Sequence, residues 1–121
     1  MSVNEWSEHI LIAELQDDPS FSDDMGTLTR RLTEHKDGER KEGKAPDVVL
    51  NMRQLHFLNS SNIAQLLRLR KAALQRGSQL RMCSVSDRIW GVLLATDLDR
   101  LFDFSEDVTT ALAAVQVARG G

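Results

Sequence analysis

The sequence lacks the features of a secreted or membrane protein. Its single cysteine, Cys83, allows no internal disulfide, which is typical of a protein in a reducing cytoplasm. No apolar run approaches the length that spans a membrane, and the first residues show no basic segment followed by an apolar one, so no signal peptide is visible. We therefore expect a cytoplasmic protein that does not enter a membrane.

The common motifs of catalysis and cofactor binding are also missing. There is no glycine-rich phosphate loop, no Cys/His spacing of a metal site and no Gly-x-Ser-x-Gly nucleophile elbow. His9 has no second ligand nearby in sequence, and Asp17 and Asp18 are more typical of a solvated loop than of a catalytic pair. His56, between apolar neighbours, is predicted to be partly buried and hydrogen-bonded. We expect no enzyme, no metal and no cofactor.

The composition fits one folded domain spanning residues 1–121. The chain is 41% hydrophobic and 27% charged, and it is long enough to bury a core. Its net charge of -3 argues against a dedicated nucleic-acid binder. Residues 34–46 are almost entirely charged residues and glycine, with mixed signs, and predict a flexible loop within the domain.

Hydrophobic periodicity predicts an α/β fold in the order β-β-α-β-α-β-α-β-α. Alternating strands and helices after a first hairpin indicate parallel neighbours in a mixed β-sheet with helices packed on it. The strands are expected at residues 3–6, 9–15, 47–52, 79–85 and 101–104. The first helix is expected to be capped by Ser20 or Ser22, and the second to begin at Ser61 or Asn62. Ser86 and Ser105 are expected to cap the third and fourth helices.

Two helices show clear apolar faces. The first presents Phe21, Met25, Leu28 and Leu32 at helical spacing. The second ends at Gly77, with Arg70 on the rim of its apolar arc and its charged head reaching water. That arc comprises Ile63, Leu66, Leu67, Leu69, Ala73 and Leu74. Cys83 is expected to be buried in a strand, and Asp97 stands where a left-handed residue would end a helix.

The junction before the second helix is the most informative stretch. Ser60 and Ser61 lie between Asn59 and Asn62, where an extended run gives way to a helical pattern. Two interpretations remain open. The hydroxyls can cap the helix, because Ser and Asn readily accept its first free N–H groups. Alternatively, an exposed hydroxyl at the positive end of a helix is a place where a phosphate can be added or recognised.

Five segments together resemble the STAS domain, the module of bacterial anti-sigma-factor antagonists and of anion-transporter tails. They are residues 47–52, 57–63, 66–70, 77–82 and 96–102. The resemblance covers nearly the whole chain. It implies a STAS-like mixed β-sheet and a regulatory protein-interaction module whose partner is an anti-sigma factor or related Ser/Thr kinase.

In phosphorylatable members of this family the junction reads Asp-Ser-Ser-Gly or Asp-Ser-Thr-Gly, and the first hydroxyl takes the phosphate. The resemblance thus implies Ser60 as the phosphorylation site, with Ser61 second. Asn59 and Asn62 replace the family's Asp and Gly, and Asp18 lies in a loop that also departs from the family pattern. The implied partner-binding residues are Asn59, Asn62, Ile63, Gln65 and Asp18. The alternative is an unphosphorylated scaffold subunit that assembles with other STAS proteins.

Overall fold

A computed structural model describes residues 2–34 and 45–120. The elements are β1 Val3–Ser7, β2 Ile10–Gln16, α1 Ser20–Thr33, β3 Asp47–Gln54, α2 Ser60–Arg76, β4 Leu80–Cys83, α3 Asp87–Ala95, a 3₁₀ helix Leu98–Arg100, β5 Asp103–Ser105 and α4 Val108–Ala118. The predicted order is confirmed. Most of the predicted loop lies outside the described residues, and Ala45 and Pro46 at its end are buried and belong to no helix or strand.

The five strands form one sheet in the order β1-β2-β3-β4-β5. β1 is antiparallel to β2, and the remaining pairs are parallel, which confirms the mixed sheet. Each of the connections between β2 and β5 leads to the neighbouring strand of the sheet, always in the same direction. Since such crossovers are right-handed, α1, α2 and α3 lie on the same face of the sheet. The other face is covered by α4.

Alternation along the strands divides the apolar side chains between two cores. Leu11, Val48 and Leu80 are register neighbours and face the three-helix layer. The smaller core contains Ile10, Val49, Cys83, Ala111 and Val115 beneath α4. Cys83 is buried as predicted, and burial raises the pKa of its thiol. The neutral thiol is a poor nucleophile, which fits a structural role.

The helix ends agree only in part with the prediction. Ser86 caps α3 by accepting the N–H of Ile89, and Gly77 ends α2 with a positive φ of 68°, both as expected. Asp97 also adopts the left-handed conformation expected for it, with a φ of 61°. The cap of α4 is Asp107, however, so the prediction of Ser105 as its cap is wrong. The same is true of α1, where neither Ser20 nor Ser22 acts as the cap because both lie inside the helix.

The apolar face of α2 is narrower than predicted. Leu67 and Leu74 are 39% and 63% exposed, whereas the buried positions are Asn62, Leu66, Leu69, Ala72 and Ala73. Arg70 lies at the rim, and its Nε donates to the carbonyl of Leu101 in an exposed hydrogen bond. Within the described ranges, no helix is both long and apolar enough to cross a membrane.

Candidate functional site

The start of α2 is capped by its two asparagines. Asn59 precedes the helix with extended backbone, and its side-chain oxygen accepts the N–H of Asn62 at 2.8 Å. In return, Asn62 Oδ1 accepts the N–H of Asn59 at 3.1 Å. This reciprocal pair is a capping box. The helix therefore begins at Ser60, earlier than predicted, and neither serine is used as a cap.

Ser60 and Ser61 are consequently free at the protein surface. Both residues are exposed, and neither hydroxyl has a hydrogen-bond partner among the described residues. The next two N–H groups of the helix, those of Asn62 and Ile63, are bonded to Asn59. The N–H groups of Ser60 and Ser61 remain open to an outside acceptor at the positive end of the helix.

Asn62 is not the surface contact that was predicted. Only 3% of the residue is exposed. Its Nδ2 donates to Asp18 Oδ2 at 2.9 Å and lies 3.3 Å from Gln65 Oε1, while its oxygen holds the cap. Every polar atom of this side chain is therefore satisfied inside the molecule, and the prediction of partner binding by Asn62 is wrong.

Asp18 fastens the loop before α1 to the start of α2. Its Oδ1 accepts from the hydroxyl and the N–H of Ser22, at 2.6 and 2.9 Å, and its Oδ2 accepts from Asn62. The hydroxyl of Ser22 and the amide of Asn62 hold the pKa of Asp18 below its usual value. Although the residue is exposed, both of its oxygens are engaged, so its first role is to build the corner.

Asp17 links the loop before α1 to the residues that precede α2. It accepts from the N–H groups of His56 and Phe57 at 2.8 and 3.1 Å, and from His56 Nδ1 at 3.0 Å. Burial acts to raise the pKa of Asp17, but these hydrogen bonds outweigh it and the net shift is downward. His56 is hydrogen-bonded as predicted, although its side chain is 70% exposed and not partly buried.

The remaining predicted contacts are half-buried. Ile63 packs against the main core, and Gln65 Nε2 donates to Ser22 Oγ at 3.0 Å. Phe57 was missed as a surface residue. It is 62% exposed, and the guanidinium of Arg88 lies 5.6 Å from its ring. No local signal indicates this exposure, because Phe57 stands in an apolar run that is typical of a core segment.

The surface that this geometry defines is called the α2 corner and comprises Phe57, Asn59, Ser60 and Ser61. Its outward face is one exposed aromatic ring, one amide and two free hydroxyls. In the part of the chain that the structure describes, no three His, Cys, Asp or Glu side chains come together as a metal site requires. The α2 corner has the chemistry of a contact surface with modifiable hydroxyls.

The two aspartates make the corner sensitive to acid. Because the pKa values of Asp17 and Asp18 in the folded protein lie below the ordinary value of 3.8, their stabilising contribution is complete above that pH and is lost as the pH falls through the folded pKa values. We expect an Asp17→Asn/Asp18→Asn variant to melt at a lower temperature than wild type at pH 7. The difference should shrink below about pH 4.

Thermal melts of both proteins across this pH range measure the effect. Asp107, whose pKa is lowered by the N–H and hydroxyl of Thr110, titrates in both proteins and cancels in the comparison. A difference in melting temperature that stays constant down to pH 3 (roughly one unit below the ordinary pKa) would show that these carboxylates do not act through their charge.

Comparison with known proteins identifies the family. The profile of the STAS domain matches residues 2–111. A comparison of the sequence with curated proteins found no significant match. Solved structures share the fold at low sequence identity, and anti-sigma-factor antagonists are among them.

Three of these structures illustrate the similarity. A variant of RsbS from Moorella thermoacetica has a TM-score of 0.75 and 15% identity, with coverage of 97% of this chain and 96% of that one. The unphosphorylated anti-sigma-factor antagonist SpoIIAA gives a TM-score of 0.72, 14% identity, and coverage of 98% and 96%. A chain from the stressosome, described as a signal integration and transduction hub, gives a TM-score of 0.71 and 14% identity, with coverage of 97% of each chain. At these identities the structures establish the fold alone, and the match to the family profile carries the assignment: this chain belongs to the STAS domain family.

Proposed function

We propose that this chain is a cytoplasmic, non-enzymatic regulator that docks an anti-sigma factor or related Ser/Thr kinase through the α2 corner. Phosphorylation of Ser60 lowers the affinity for that partner. The observation that carries the proposal is that both asparagines cap the helix, which leaves the hydroxyls of Ser60 and Ser61 exposed and without partners among the described residues. SpoIIAA, which shares the fold, was solved in a form described as unphosphorylated, which supports a phosphorylated counterpart in that protein.

The position of Ser60 suits a reversible switch. A phosphoserine adds nearly two negative charges and three acceptor oxygens. Within the chain, the open N–H groups at the start of α2 stabilise an exposed anion by about 0.3–1 kcal/mol. Asn59 also contributes no charge, so a phosphate does not face the carboxylate that the family carries there. The fold therefore accommodates the modification without rearrangement.

The same phosphate is unfavourable at an interface with a docked partner. Its groups at the interface must give up water, and its carboxylates are repelled. A loss of about 2.7 kcal/mol is enough to weaken binding about 100-fold. Phosphorylation can thus release the partner while the folded protein stays intact.

A pull-down from lysate of the native cell tests the proposal. Wild type and Ser60→Ala should recover the same anti-sigma factor or kinase, and Ser60→Asp should recover much less of it. Ser60→Ala controls for loss of the hydroxyl without added charge. Equal recovery of every partner by wild type and Ser60→Asp would refute the switch.

The second candidate is an unswitched scaffold subunit that assembles with other STAS proteins. The similarity in fold to a stressosome chain favours it, as does the replacement of the family's Asp and Gly by Asn59 and Asn62. Mass spectrometry of protein isolated from the native cell distinguishes the two candidates. A phosphopeptide spanning Ser60 supports the switch, whereas its absence under every growth condition, together with a large assembly in light scattering, supports the scaffold.

A further inference from the structure

A second surface begins beside the α2 corner and continues along α1 and α2. The two helices enclose an open cleft of about 340 Å³. Its lining residues are Ser22, Met25, Gly26, Thr29, Arg30, Thr33, Gln65 and Arg68. Ser61, Gln65 and Arg68 follow one another at spacings of four and three residues, so they share one face of α2. The cleft is therefore continuous with the α2 corner.

The cleft is positively charged in a protein that is acidic overall. The net charge of the chain is -3, yet α2 contains no Asp or Glu and carries Arg68, Arg70, Lys71 and Arg76. Arg30 reaches the same cleft from α1. Among the described residues, neither Arg30 nor Arg68 forms an ion pair, even though Glu34 follows Arg30 by one helical turn. Within that part of the chain, two cations thus face the cleft without a counter-charge.

Gly26 is a second feature of the wall of the cleft. It lies in the interior of α1, where glycine weakens a helix relative to alanine. The described fold does not require a glycine at this position, because a Cβ atom placed there would meet no described atom within 4 Å. An absent side chain on the wall of a cleft allows another backbone to approach closely. Gly26 therefore leaves space for another backbone at this wall of the cleft.

We propose that the cleft between α1 and α2 receives an acidic segment of the protein partner. Carboxylates of that segment pair with Arg30 and Arg68, and its backbone passes over Gly26. The proposal rests on the proposed function and specifies the chemistry of the partner. Ser60 lies about 12 Å along the helix from Arg68. That distance exceeds the screening length of about 8–10 Å at physiological salt, so a phosphate at Ser60 repels carboxylates held at Arg68 only at lower ionic strength, and the switch itself acts at the α2 corner.

The probe is a short fluorescein-labelled peptide of alternating glutamate and glycine, titrated against the purified protein. We expect amide NMR shifts concentrated at Gly26, Thr29, Gln65 and Arg68, with affinity falling as salt is added. An Arg30→Glu/Arg68→Glu variant should bind about tenfold more weakly. A lysine–glycine peptide and inorganic phosphate serve as controls. Equal shifts from phosphate indicate a small-anion site and overturn the proposal, as do shifts that lie elsewhere.

Gly26→Ala provides the sharper test, with Gly91→Ala as its matched control. Gly91 lies inside α3, and a Cβ atom at this position would also have no described atom within 4 Å. Both variants should melt about 2–5 °C higher than wild type, since alanine favours a helix. Only Gly26→Ala should weaken peptide binding. Unchanged binding by Gly26→Ala would contradict the proposed path of the segment.

The two proposals can fail separately. If partner capture depends on Ser60 but not on Arg30 and Arg68, the proposed function stands and the cleft proposal falls. If the acidic peptide binds the cleft but no partner responds to Ser60→Asp, the cleft proposal stands and the switch falls.

Discussion

Replacing Asn62 by alanine is expected to lower the free energy of unfolding by about 2–3 kcal/mol. The side chain is buried and joins the N–H of Asn59 to Asp18 and Gln65. Its removal opens half of the capping box and leaves the N–H of Asn59 and the acceptor oxygens of Asp18 and Gln65 without this partner. The same bonds fix the loop before α1 against α2, so the variant should also loosen the α2 corner.

Urea denaturation followed by circular dichroism measures this loss. Ser61→Ala is the matched control, because Ser61 is exposed on the same helical turn and its side chain makes no hydrogen bond among the described residues. Its effect should stay within about 0.5 kcal/mol. A loss as small as this for Asn62→Ala would mean that the capping network contributes little to stability.

Phosphorylation of Ser60 is expected to weaken partner binding about 100-fold. The added charge lies at the centre of the α2 corner, where a docked surface must displace its water. Ser60→Asp carries a single charge and should lose at least about tenfold. Calorimetric titration with the partner recovered in the pull-down gives both values.

The stability of Ser60→Asp separates lost binding from lost folding. An acidic residue in the first turn is favourable, so this variant should be at least as stable as wild type. Ser60→Asn has nearly the shape of Ser60→Asp without its charge and should keep most of the affinity. Equal weakening by Ser60→Asn and Ser60→Asp would point to steric exclusion instead of charge.

Local sequence signals were sufficient for the order of elements. Alternating strand and helix periods, with Gly77 and Ser86 at two boundaries, predict the β-β-α-β-α-β-α-β-α order that the structure shows. The burial of α2 was overestimated because a sheet covers only part of a helix, and the periodicity does not show which part. Leu67 and Leu74 continue the apolar arc but remain exposed at its margin.

The capping of α2 depends on contacts that are distant in sequence. Four consecutive residues, 59–62, can all cap a helix, so local preference alone does not choose among them. Asp18, which lies 44 residues from Asn62 in the chain, accepts from the Asn62 amide and so helps to hold that side chain in the cap. Asp17 similarly binds His56 across 39 residues. The sequence therefore predicts a polar junction, but not which of its side chains remain free.

Hydrogen exchange on the complex with the recovered partner tests the central claim most directly. If the α2 corner is the docking surface, binding should slow exchange at the amides of residues 57–65, and phosphorylation of Ser60 should abolish that protection. Full protection elsewhere in the described chain, with no change over residues 57–65, would show that the partner binds a different surface.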